Sequence, residues 1–143
     1  MTTYTGDNGL TYTASSEESV TQFEALVTSY LSFGRESGTL LKALLTHDPD
    51  MPMVHCMQGY FQKLFANAKM SGRAKGTYSK LKPLLESADL DDREKQHIAA
   101  LGAWTEGDLQ RTVDIWERIL VKHPLDSLAL RMAHYLHFYS GDG

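Results

Sequence analysis

Residues 91–124 read DDREKQHIAALGAWTEGDLQRTVDIWERILVKHP, and this stretch decides the fold. Asp91 with Glu94 three residues later is a capping-box pattern, which satisfies the unpaired amides of a helix start. The helix it opens runs through Trp104 to Gly107. A second helix, Leu109 to Lys122, is halted by His123-Pro124, because proline cannot continue a helix. Two helices joined by a short Gly107-Asp108 turn make a helical hairpin.

The same punctuation recurs along the chain. Ser15 with Glu18 predicts a helix over about 16–33, ended by Gly34. The segment TLLKALL (39–45) stops at His47-Asp48-Pro49. Pro52 opens a helix carrying Met53, Cys56, Met57, Tyr60, Phe61, Leu64, Phe65 and Ala68, spaced by three and four, until Ser71-Gly72 breaks it. A fourth segment, about 73–87, holds Leu81, Leu84 and Leu85 and restarts at Pro83. The last helix runs from about 126 to Tyr139. No strand-like alternation of useful length is present, so an all-α fold of about seven helices is expected. Residues 1–15, rich in Thr, Gly, Tyr and Ser, are expected as a flexible arm.

Placing Pro124 under Pro49 aligns Leu44-Leu45 with Ile119-Leu120, Leu41 with Trp116, Met53 with Leu128 and Met57 with Met132. A third copy has Asp89 at its junction and Leu84-Leu85 in the apolar slots, so the junctions 49, 89 and 124 lie 40 and 35 residues apart. Such a period predicts a helical-hairpin solenoid, in which each hairpin buries its apolar face against its neighbours. The hairpins are 16–49, 51–89 and 91–124, followed by an unpaired helix 125–140. An ordinary bundle is the alternative.

Residues 91–142 resemble a tetratricopeptide (TPR) repeat and half of another. Ala100 and, one unit earlier, Gly59 stand where the two helices of a hairpin approach closely. Gly107-Asp108 forms the turn, Trp116 the large packing position and Pro124 the terminus. Thr112, Ile119 and His134 depart from the repeat pattern, as do extra residues at 66–72. The strings ALLTHDPDMPMVH, REKQHIAALGAWTEGDL and WERILVKHPLDSLALRMAHYLHFYSGD are similar to the tetratricopeptide repeat protein 38 family over 16–142. The resemblance implies a right-handed superhelical stack, with this chain corresponding to the N-terminal third of the family's members. It carries no activity onto particular residues.

Composition narrows function by exclusion. A chain of 143 residues can bury roughly 70% of its unfolded surface, enough for one core. Fourteen basic against eighteen acidic side chains argue against general attraction to nucleic acid or anionic membrane. The single cysteine excludes an internal disulfide framework and fits a reducing, cytoplasmic setting. No signal sequence, membrane-spanning run, P-loop, GxSxG or HExxH is present. Cys56, on an apolar face, reads as a small hydrophobe with a raised pKa. The stretch with Lys69, Arg73, Lys75, Lys80 and Lys82 reads as a solvated face, with phosphate or an acidic partner as the alternative.

Helix 125–140 is apolar on most sides and therefore needs cover on most sides. Leu128, Met132, Leu136 and Tyr139 are expected to meet a second copy of the chain or repeats beyond Gly143. By the TPR register, first helices line a concave groove, here Met53, Cys56, Tyr60, Lys63, Glu94, His97, Trp104, Arg131, Tyr135 and Phe138; Leu101, Leu128 and Phe138 read more readily as core, and Tyr60, Trp104, Arg131 and Tyr135 equally as groove or core. Aromatic, Met and Arg side chains in that wall suit a peptide or partner helix. His97, His134 and His137 have a spacing that can chelate a metal, but no carboxylate or cysteine completes the set, so neither metal nor cofactor is expected. His47 and His123 read as helix-terminating residues, and His55 as ordinary packing. The expected function is a TPR-like protein-interaction or assembly module, more readily than an enzyme. The alternative is the N-terminal part of a larger helical-repeat enzyme or small-molecule or metal binder with a histidine-containing site.

Overall fold

The computed structural model describes residues 2–7, 9–31, 37–64, 68–87 and 90–139; of 31, 68–71 and 137–139 it describes the backbone alone. Two strands, β1 (Thr2–Thr5) and β2 (Thr11–Ala14), precede seven helices: α1 (Glu17–Leu31), α2 (Ser37–His47), α3 (Pro52–Leu64), α4 (Ala68–Leu81), α5 (Asp92–Thr105), α6 (Leu109–Lys122) and α7 (Ser127–Tyr139). A 3₁₀ turn, Lys82–Glu86, follows α4 with Pro83 at its start, where the missing N–H removes no bond. The described chain is thus predominantly helical, as the apolar periodicity predicts.

Neighbouring helices pack in chain order: α1 with α2, α3 with α4, α5 with α6, and α6 with α7. Between pairs, α5 lies against both α3 and α4. Small residues set the spacing. A methyl on Gly59 would sit 2.5 Å from Leu101, and one on Gly102 2.5 Å from the Tyr78 ring. Gly107 has φ +80 in the α5–α6 turn, a conformation that favours glycine.

Four local readings are corrected. The N-terminal segment is not a loose arm. Its strands pair antiparallel from Thr2↔Ala14 to Thr5↔Thr11, with Gly9 at φ +81 between them. Tyr12, Thr13 and Ala14 are buried: the Tyr12 ring packs 5.4 Å from Phe23 of α1 while Thr13 turns to α5. Each strand is only four residues long, so the Thr-Tyr-Thr-Ala alternation of β2 is too short to register as a strand signal. At the start of α1, Ser16 rather than Ser15 accepts from the Ser19 amide, and Ser15 instead bonds the buried Asp48 carboxylate through its N–H (2.8 Å) and hydroxyl (2.9 Å). Ser71-Gly72 lies inside α4, which begins at Ala68. Asp91 caps α5 by accepting from the Arg93 amide, but Glu94 does not complete a capping box, because its carboxylate is drawn to Thr13.

The N-terminal elements also close the face that the repeat register leaves open. Tyr30 of α1 packs 5.4 Å from Phe61 of α3 and hydrogen-bonds Arg131 of α7, so α1 bridges α3 and the last helix. Leu128, Ala129, Met132, Ala133 and Leu136 are consequently buried within the chain itself.

Candidate functional site

The residues assigned to a groove are brought together, but mostly as core. Met53, Cys56, Tyr60, Glu94 and His97 are inaccessible, and Trp104 nearly so. Lys63, Arg131 and Tyr135 are half-buried, while the side chain of Phe138 lies outside the described residues. Tyr60, Trp104 and Trp116 pack with centroids 5.5–5.9 Å apart, and Tyr135 adds a 6.4 Å contact with Trp104. Leaving these rings in water would cost about 25 cal/mol per Å² of apolar surface, and they avoid that cost by packing on one another. The self-association surface is corrected on the same ground. Leu128, Met132 and Leu136 are core, and the Tyr139 side chain lies outside the described residues.

At the centre of this core lies a polar network. The Asp126 carboxylate accepts from Arg93 Nη1 (2.9 Å) and His97 Nε2 (2.8 Å) on one oxygen and from the Ala129 amide (3.0 Å) on the other, capping α7. Burial by itself would raise its pKa, but the facing His97 and Arg93 outweigh burial and hold it well below the usual carboxylate range. An ionised carboxylate 2.8 Å away requires the proton on His97 Nε2. The other ring nitrogen, Nδ1, lies 2.8 Å from the Tyr60 hydroxyl, which accepts from Trp116 Nε1 at 3.0 Å.

The network reaches the hairpin as well. Arg93 donates to the Thr11 carbonyl (2.8 Å) and lies 4.8 Å over the Tyr12 ring. The Thr11 hydroxyl bonds Asp91, and Thr13 donates its amide (2.9 Å) and hydroxyl (2.7 Å) to Glu94. Burial raises the Glu94 pKa despite those two bonds. Burial also pushes the Cys56 thiol up to about 12 and the Tyr60 phenol well above its ordinary value.

Although His97, Asp126 and Tyr60 have the makings of a proton relay, each is sealed from solvent and both His97 ring nitrogens are engaged. The cluster therefore acts as a staple joining β2, α5 and α7. It also takes His97 out of the histidine metal set: His134 is exposed on α7, and the His137 side chain lies outside the described residues. Among the described residues no group of three His, Cys, Asp or Glu side chains is placed to hold a metal.

An accessible concavity lies elsewhere among the described residues. An open pocket of about 430 Å³ forms where β2, the α2–α3 turn, the start of α3 and the 3₁₀ turn converge. Pro49, Pro52, Leu81, Leu84 and Leu90 give it apolar walls, and Thr13, Asp50, His55, Lys80 and Ser87 supply polar groups. His55, expected as ordinary packing, instead lines this pocket with its Nε2 on the Pro49 carbonyl. Apolar walls with a few convergent polar groups describe a binding pocket. The lining side chains come from residues 13 to 90, so no local motif could reveal them. The prolines at 49, 52 and 83, which break the helices around the opening, were the available signal.

Among the described residues no helix is long and apolar enough to cross a membrane. In comparisons with known proteins, no family model matches the chain, and no solved structure matches it.

Proposed function

We propose that the chain is a TPR-like helical-repeat module, working in the cytoplasm, that binds a short peptide segment of a partner protein. Chain-order packing of helix pairs supports the repeat reading. The observation that carries the binding reading is the 430 Å³ pocket, open and walled by leucine and proline, while the nucleophilic and relay-type groups are buried. A pocket of that size accepts one or two side chains and a turn of backbone.

A photo-cross-linking amino acid at Leu84, in the wall, should form polypeptide adducts in cells. The same group at Lys42, exposed on α2, should not. Equal labelling from both positions overturns the reading. A second reading, assembly with another copy, is favoured by Val121, Leu125 and Leu130, which are 83%, 65% and 51% exposed around the α6–α7 turn. A sedimentation mass that stays monomeric at micromolar concentration removes it.

A further inference from the structure

The sequence distributes charge unevenly, and the fold concentrates the imbalance beside the pocket. Between Asp50 and Glu86 there is no acidic residue, yet this stretch carries Lys63, Lys69, Arg73, Lys75, Lys80 and Lys82. These six cations leave eight against all eighteen carboxylates in the rest of the chain. A neutral-looking average therefore hides one basic hairpin in an acidic protein.

On α4 the buried positions Ala74, Thr77 and Leu81 turn inward, so Arg73, Lys75 and Lys80 face out, and Lys82 follows exposed on the 3₁₀ turn. No described carboxylate forms an ion pair with Lys75, Lys80 or Lys82. Lys63, half-buried at the end of α3, is held below the usual lysine range by burial and by repulsion from Lys75, a sign that the cations here crowd one another. Lys80 itself lines the pocket, one residue from the apolar wall at Leu81.

We propose that the pocket and the adjoining α4 face bind an acidic peptide segment, whose apolar side chain enters between Leu81, Leu84 and Leu90 while its carboxylates meet Lys80, Lys82 and Lys75. This rests on the reading of the pocket as a peptide site and adds the class of sequence it takes. Cations beside an apolar wall select by charge complementarity and speed encounter. Asp50, on the pocket lining, repels a carboxylate entering from its side and accepts peptide amides instead, which orients the chain with its acidic end toward α4. A polyanion such as RNA fits less well. A phosphate backbone leaves the leucine and proline walls unburied, and the acidic remainder of the protein repels a strand longer than the patch. Nor does α4 offer a ring to stack on, because Tyr78 is packed against Gly102.

The test is fluorescence anisotropy on the full chain with four probes. They are a peptide of about nine residues alternating Leu with Asp or Glu, its Asn/Gln counterpart, an acidic peptide with Gly in place of Leu, and a single-stranded oligonucleotide. The expected result is binding of the Leu-acidic peptide about tenfold tighter than the neutral one at roughly 50 mM NaCl, narrowing at roughly 300 mM. K75E/K82E, at exposed positions outside the pocket lining, should abolish the preference for the acidic over the neutral peptide, and L84D should weaken both peptides. Circular dichroism melts confirm that each variant is folded, and L84N replaces L84D if it is not.

Equal affinity for acidic and neutral peptides, both lost in L84D, overturns the charge inference and leaves the peptide-site reading standing. Failure of every peptide to bind overturns both. Oligonucleotide binding as tight as the Leu-acidic peptide's and insensitive to L84D would make the face a polyanion surface, which also overturns the proposal.

Discussion

Asp126→Asn is the most exposing perturbation of the buried network. The substitution is nearly isosteric, but its amide can present an acceptor in only one direction. If the carbonyl keeps the Ala129 amide, the NH₂ faces Arg93 Nη1 and His97 Nε2, both donors at 2.8–2.9 Å. If it flips, α7 loses its cap. Breaking a buried pair by removing one partner costs about 3–5 kcal/mol, mostly because the remaining charge stays buried and uncompensated. A domain of this size has about 5–15 kcal/mol in total, so the variant should be visibly destabilised. Asp126→Ala should lose about 1 kcal/mol more, for the cap.

Urea unfolding read by tryptophan fluorescence suits the measurement, since Trp104 and Trp116 are both buried in the affected core. The Arg93→Met/Asp126→Asn double variant separates charge from packing. Without the guanidinium the amide no longer faces an unpaired cation, so the double should be less destabilised than the sum of the singles by at least about 1 kcal/mol. The pH dependence has a definite sign. Because Asp126 is held below the ordinary range, its stabilisation is complete above the unfolded value near about 3.9 and is lost as pH falls toward the lower folded value. The difference between wild type and Asp126→Asn should therefore shrink on acidification below about pH 4. A cost below about 1 kcal/mol for Asp126→Asn, or strict additivity in the double variant, would refute the staple.

Three further outcomes follow from the same geometry. Glu94 is shifted the opposite way, so the fold tolerates its neutral form better than the unfolded chain does, and that contribution, present below the unfolded value, is lost as pH rises through the raised folded value. Glu94→Gln should gain on wild type in urea titrations as pH rises above the unfolded value of about 4.3, and a flat difference would refute the shift. Cys56, fully buried with its thiol pushed up to about 12, should resist iodoacetamide at a pH of about 8 until the protein unfolds. Rapid alkylation of native protein would show the α3 face to be open. Gly102→Ala drives a methyl into the Tyr78 ring, and Gly59→Ala drives one into Leu101; each should cost about 1–3 kcal/mol, less the ~1 kcal/mol that alanine gains in helix propensity. Gly59→Ala should be the costlier, because Leu101 is fully enclosed whereas Tyr78 is half-buried and can swing outward; the reverse order in thermal melts would contradict the packing.

By itself, the sequence determined the helices. Their boundaries are written in short-range chemistry: Pro49 and Pro52 around α3, the Asp91 cap of α5, Gly107 in its left-handed turn and Pro124 after α6. Gly59 was legible as a close-approach residue but its partner was not: the resemblance put the second helix of its own hairpin there, and the fold puts Leu101 of α5. What only the tertiary structure decided is which faces stay wet. The register that assigned Tyr60, His97 and Trp104 to a groove was silent about the first fifteen residues. Those residues form a hairpin held by Arg93 and Glu94, partners eighty or more positions away. Glu94 looked like a cap because it stands three residues after Asp91. In the fold it bonds Thr13, whose amide would otherwise be buried without an acceptor. Helix formation is settled by neighbours within one turn, whereas burial is settled by whichever distant segment covers an apolar face, and no local pattern encodes that choice.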